Sequence, residues 1–140
     1  MGCSLKFQHY RVENIDFRIN EHFTHSEDES IPLNMKLHRE IGMADNNHSF
    51  TVALSISIFD DAETKNYPFS LNSTVRGFFE LDGAIDENGK QRDAFIERNS
   101  VAILFPYLRA LVATITANSG VNQLDIPPIN VVEMIENGDK

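Results

Sequence analysis

The stretch SVAILFPYLRALVATITANSGVNQLDIPPINV, residues 100–131, decides how the rest of the chain is read. Val101, Leu104, Leu108, Leu111, Val112 and Ile115 recur at helical spacing, and Gly120 supplies a stop. A surface helix presents one apolar stripe and one polar face. Here only Tyr107, Arg109 and Thr114 bring a polar group between Val101 and Ile115. Pro106 lies inside the pattern, has no N–H to donate and disfavours helical geometry at Phe105, so a kink or a break is expected there. The two prolines of LDIPPIN (124–130) then demand extended chain, and VVEMIENGDK leaves room for two helical turns at most.

Upstream the pattern changes to a period of two. The clearest strand is FTVALSISIF, 50–59, with Phe50, Val52, Leu54, Ile56 and Ile58 on one face and Thr51, Ala53, Ser55 and Ser57 on the other. DDAETKN forms a turn, and Phe69, Leu71, Ser73, Val75 and Phe79 continue as an antiparallel partner. From Leu5 to Phe23 the apolar phase changes twice: Leu5 and Phe7, then Tyr10 and Val12, then Ile15, Phe17 and Ile19. Such changes predict bulges or a sharply bent strand. A fourth segment, Asn34 to Ile41, alternates through Met35 and Leu37 and slips before Ile41, while residues 25–30, 43–49 and 82–92 read as polar connections. Strands first and helix last is an α+β arrangement, and 140 residues make one domain.

The sheet's apolar face covers one side of the helix, and too little chain remains to cover the other. An exposed face of Leu, Val and Ile exceeds the patch a monomer tolerates. The expected cover is the same helix of another copy, with Leu104, Leu108, Leu111, Val112 and Ile115 at the oligomer interface.

Charge narrows the choice of partners. A net charge of −9 repels phosphate backbones and argues against nucleic acid, while favouring basic unfolded segments. Cys3 is the sole cysteine, no secretory or lipidation signal is recognisable, and the apolar run 101–112 contains Arg109 and is too short for a bilayer. A cytoplasmic protein without membrane insertion is expected. Catalytic patterns are missing from the sequence: no phosphate loop, nucleophile elbow or paired-cysteine zinc motif. The one close histidine pair, His22 and His25 with Asp28 nearby, reads as solvated loop, so neither an enzyme nor a metal or other cofactor is expected. The aromatics say more. Phe17, Phe50 and Phe79 fall on core positions, whereas Phe23, Phe59, Tyr67, Phe69 and Phe78 sit at strand ends or off the apolar phase and are candidates to line an apolar groove.

ILFPYLR (103–109), the alanine- and threonine-rich helix, the glycine and LDIPPIN together resemble the SecB family of protein-export chaperones. YRVENIDFRI (10–19) is similar to that family's first strand, so the resemblance runs from about Leu5 to Val131. It implies a four-stranded antiparallel sheet on a long helix, a dimer of dimers with the helices at its centre, and ATP-independent holding of unfolded preproteins for delivery to the SecA motor. Two departures stand out. The second, C-terminal helix is short or missing, and the acidic positions that dock SecA's zinc-bearing tail align with Asn14, Arg18 and Asn72, so coupling to such a motor is in doubt. The expectation is a holdase for unfolded chains through the aromatic groove. The alternative is a dedicated interaction protein for one partner, such as an antitoxin.

Overall fold

The computed structural model describes residues 4–24, 30–43, 48–82, 89–127 and 131. Four strands, β1 (Ser4–Ile19), β2 (Met35–Met43), β3 (Ser49–Ile58) and β4 (Phe69–Asp82), form one antiparallel sheet in the order β1-β4-β3-β2. A single helical turn, α1 (Ala62–Lys65), joins β3 to β4, and the long helix α2 (Gly89–Ala117) lies across the sheet. Helix therefore begins inside the segment expected to be a polar connection through Arg92.

Register explains the broken phase of β1. The pairing with β4 shifts between Phe7 and His9 and again between Val12 and Asn14. Each extra residue inverts the alternation, so Leu5, Phe7, Tyr10, Val12, Ile15, Phe17 and Ile19 all oppose inward positions of β4. The carbonyl of Asn14, at the second irregularity, accepts from the buried Ser73 hydroxyl at 2.9 Å. On β2 the structure shows no slip: Met35, Leu37, Arg39 and Ile41 follow one another on the same face. Arg39 takes the inward position and reaches Glu97 of α2 at 2.9 Å, which is how a cation is tolerated there.

Helix α2 runs unbroken through Pro106. The acceptor left without a donor is the carbonyl of Ala102, and both residues lie on the outer, exposed row of the helix, where water can take its place. The inner row, Val101, Leu104, Phe105, Leu108 and Val112, is buried against Val52, Leu54, Val75 and Phe79 of the sheet. Gly77 permits this closeness, because a Cβ there would lie 2.7 Å from Leu104 Cδ2. The outer row reads Ala102, Pro106, Ala110 and Thr114, and its side chains are small.

This corrects the expected interface at three of its five residues. Leu104, Leu108 and Val112 are covered entirely by their own sheet and have no surface to give a partner, while Leu111 and Ile115 are half-buried at the margin of the core. Among the described residues, the large apolar side chains left uncovered fall on both edge strands: Tyr10, Val12, Ile15 and Ile19 of β1 are 40–50% exposed, beside Tyr107 of α2, and Leu33, Ile41 and Met43 are exposed at β2. A length expectation is corrected too. The helical stretch Phe95–Ala117 has 23 residues and a mean hydropathy of 1.6, enough by length and composition to cross a bilayer. Part of that hydropathy belongs to the inner row, Val101, Leu104, Phe105, Leu108 and Val112, which the sheet buries. The second helix, expected to be short or missing, lies outside the described residues apart from Val131, which is buried in the core.

Candidate client-binding cleft

At the end of the sheet where β3 leaves and β4 enters, the chain turns through left-handed backbone at Phe59, Asp61 and Asn66 (φ 53°, 61° and 57°). Positive φ is unusual for a bulky residue. Here it lets the chain fold back while the Phe59 N–H donates to the Asn34 carbonyl at 2.9 Å. The turn brings three aromatic rings together. Phe59 stacks on Tyr67 with centroids 4.7 Å apart and meets Phe69 edge-on at 5.2 Å and 79°. Phe69 in turn stacks on Phe17 at 5.3 Å. Phe59 and Phe69, only 6% and 4% exposed, form the floor of an open cleft of about 570 Å³.

One wall carries Phe23 and Ile31, the other Gly120 to Leu124. Asn20 holds the first wall. Its buried side chain donates to the carbonyls of Tyr67 (2.9 Å) and Ala62 (3.2 Å) and accepts from the His22 N–H, while its own carbonyl accepts from the Phe23 N–H. Asn66 fastens the next residue, taking the Thr24 N–H and donating to the Thr24 carbonyl at 3.0 and 2.8 Å. The second wall begins where α2 ends at Gly120, whose φ of 81° is the left-handed value that stops a helix. Thr116, fully buried, donates to the Val112 carbonyl and accepts from the Leu124 N–H at 2.8 Å. Arg109 Nε donates to the Ile126 carbonyl at 2.7 Å. These two bonds lay the segment 121–127 back along the helix and tie ILFPYLR to LDIPPIN.

Of the five aromatics expected to line a groove, the structure gathers four: Phe23, Phe59 and Phe69 in the cleft and Tyr67 stacked behind its floor. Phe78 lies elsewhere, on the outer face of the sheet, stacked on His9 at 4.4 Å with the Arg11 guanidinium 5.2 Å from its ring centre. Its place off the apolar phase reflects a position on the solvent face, not in a groove. Asn20, Arg109, Thr116 and Gly120 were not among the expected site residues. A polar residue at a strand end or inside an apolar helix was the available signal for the first three. Of the histidine pair, His25 and its neighbour Asp28 lie outside the described residues, and among the described residues no three His, Cys, Asp or Glu side chains group together.

Asn14, Arg18 and Asn72 do share one surface, the outer face of the sheet, on adjacent strands. Arg18 is paired there with Asp16 at 3.0 Å. Farther along that face Glu13 bridges Arg11 and Arg76, each at 3.0 Å. The hydrogen bond from Arg11 foremost, and then Arg76, holds the Glu13 carboxyl below the usual carboxylate range.

An antiparallel four-stranded sheet carrying one long helix, with an aromatic cleft at the helix's C-terminal end, defines a SecB-type α+β protein. The family model described as preprotein translocase subunit SecB matches residues 6–139, and the chain belongs to that family. It is 42% identical over 137 residues to the uncharacterized protein MJ0357 of Methanocaldococcus jannaschii, covering 96% of this chain and 84% of that one. Among solved structures it is similar to the Mycobacterium tuberculosis Rv1957 SecB-like chaperone in complex with a ChAD peptide from the Rv1956 HigA1 antitoxin. The TM-score is 0.69 at 13% identity, over 89% of this chain and 90% of that one. A protein of unknown function from Streptococcus agalactiae gives a TM-score of 0.51 at 11% identity, over 92% and 97% of the two chains.

Proposed function

We propose that the protein is a molecular chaperone that holds non-native polypeptide in the aromatic cleft without nucleotide and without catalysing a reaction. The observation that carries this is the cleft itself: an open trough about 570 Å³ in volume, floored by Phe59 and Phe69, walled by Phe23, Ile31 and Leu124, and edged by the polar Asn122 and Gln123. It accommodates apolar side chains of an extended client at roughly 25 cal/mol per Å² removed from water. The net charge of −9 adds attraction for clients with basic segments. The Mycobacterium relative, described as a SecB-like chaperone bound to a peptide, supports the assignment.

We further propose that copies assemble through the uncovered strip of β1 and the small-residue outer row of α2, as a dimer or a dimer of dimers in the cytoplasm. Covering Tyr10, Val12, Ile15 and Ile19 removes the large apolar patch that an isolated chain exposes. A role in export is the broader expectation for the family, but Asn14, Arg18 and Asn72 on the outer face favour holding over delivery to a SecA-type motor. The second reading, a chaperone dedicated to one antitoxin-like partner, draws on the antitoxin peptide bound to the Mycobacterium protein.

Aggregation assays separate the two. The purified protein should slow aggregation of several unrelated denatured substrates with no nucleotide present. Phe23→Ser and Leu124→Ser, at half-buried cleft positions, should weaken that protection while leaving the fold intact. Protection of none of the substrates would refute a general holdase and leave the dedicated partner.

A further inference from the structure

The outer face of the sheet carries a hollow that client holding in the cleft leaves unexplained. Two cross-strand rows lie side by side there: Lys36, Ser57 and Asn72, and next to them His38, Ser55 and Thr74. These residues of β2, β3 and β4 line a shallow cavity of about 200 Å³. No carboxylate lines it, in a chain whose net charge is −9. The arginines of this face are matched, Arg11 and Arg76 with Glu13, and Arg18 with Asp16. Among the described residues Lys36 has no such partner, and the side chains of His38, Ser57 and Asn72 are likewise uncommitted. Ser55 and Thr74 share one hydrogen bond of 2.8 Å, which uses one of their two hydroxyl hydrogens and leaves the other. The hollow thus presents an ammonium, an imidazole N–H, a side-chain amide and hydroxyls from one side, a set of donors suited to an anion. Asp16, beside Asn72 in its row, is held by Arg18, and Glu40 comes two positions after His38 on β2. Charges farther off are screened beyond about 8 Å at physiological ionic strength.

We propose that this face docks an extended acidic segment of a partner polypeptide, with one carboxylate seated between Lys36 and His38. A hollow open on one side leaves a small free anion in contact with water, so affinity has to come from the surface around it. That surface suits an extended chain. Thr51, Ala53, Ser55 and Ser57 of β3 point outward beside Thr74 of β4, and their small side chains let a backbone lie flat. Phe78 follows six residues after Asn72 on the same face of β4, about 20 Å along the strand, and stacks on the exposed His9. Side chains six apart in an extended chain point to the same side at the same spacing. A carboxylate in the hollow therefore sets an apolar side chain six positions away against Phe78 and His9. Such a segment is opposite in sign to a basic zinc-bearing tail, and it uses β2 to β4 instead of the cleft, so the inference stands apart from the holding role.

Calorimetric titration of the intact protein at physiological salt tests it. The probe is a capped nine-residue peptide of serine and threonine with glutamate second and leucine eighth. Replacing that glutamate by glutamine, or Lys36→Ala in the protein, should weaken binding at least about tenfold, the loss of one hydrogen bond to a charged group. Lys36 is exposed, so the variant keeps its fold. Moving the leucine to the seventh position turns it to the opposite side and should weaken binding several-fold. Chemical-shift changes on binding should fall at Ser57, Asn72 and Phe78. Undetectable binding of the parent peptide, equal affinity of the glutamine version, or shifts confined to Phe23 and Leu124 of the cleft would overturn the docking surface. Displacement by inorganic phosphate, with the position of the leucine immaterial, would mark a small-anion site and overturn the polypeptide partner.

Discussion

Replacing Ile15 and Ile19 with serine separates the two apolar surfaces of this protein. Both side chains face the helix layer from β1, and they remain 50% and 49% exposed in the single chain. Full burial of an isoleucine side chain contributes about 1.5–3 kcal/mol, so covering the exposed half contributes about 1 kcal/mol each. In a two-fold interface the pair occurs twice, and the double substitution removes about 4 kcal/mol of association, roughly a thousandfold in Kd. The protomer loses about 2 kcal/mol from the halves already buried, which a domain of ordinary stability, about 5–15 kcal/mol, survives. Sedimentation at micromolar concentration should therefore show wild-type oligomer and double-mutant monomer, with a cooperative thermal transition in both. Val112→Asp should behave differently. Val112 is fully buried within its own chain, so a carboxylate there disrupts the protomer as well as the assembly. A folded wild-type monomer, or a double mutant that sediments as the wild type does, would refute the assignment of β1 to the interface.

Gly77→Ala should cost about 1–3 kcal/mol in urea unfolding, because the added methyl meets Leu104 and Phe79 at 2.7 Å. Arg109→Met should free the carbonyl of Ile126 and lower stability by about 1.5–3 kcal/mol, with faster proteolytic cutting between residues 121 and 127 as the local signature. Glu13 should contribute stability only while ionised. Its carboxyl titrates lower in the folded chain than in the unfolded one, so the contribution is complete above the unfolded carboxylate range and is lost as pH falls through the folded value. Glu13→Gln should flatten that part of the stability profile in acid denaturation. A zinc-loaded basic tail peptide of the SecA type should bind the outer face more weakly than about 1 μM, roughly −8.2 kcal/mol, because Arg18 repels it and Asn14 and Asn72 offer no charge; tighter binding in calorimetry would reverse that expectation.

Phe59 and Phe69 show how far a groove can be read from a sequence. Their place at strand ends marked them as candidates, and both do reach the cleft. Each is also buried in the core, however, so serine there would cost about 3–5 kcal/mol and test the fold rather than the groove. Phe23 was legible for the same reason and is the sounder probe. Phe78 shared the same sequence signal and lies on the opposite face, because position off the apolar phase marks an outward residue without saying what lies outside it.

Local periodicity determined the four strands, their antiparallel order of appearance, the two irregularities in β1 and the long helix, since each rests on contacts between residues near in sequence or on a repeat of two or 3.6. The ILFPYLR and LDIPPIN pair was visible as a signature, but its reason was not. Only the folded chain brings Arg109 to the carbonyl of Ile126 and Thr116 to the amide of Leu124. Tertiary structure likewise decided which apolar residues are left uncovered. A helix apolar on all sides gave no way to tell the face its own sheet would cover, and the sheet takes Leu104, Leu108 and Val112 while leaving small residues outside. The uncovered apolar surface falls on the edge strands, most of it on β1, because α2 lies mainly over the central strands, a fact of crossing position that no spacing along the chain encodes.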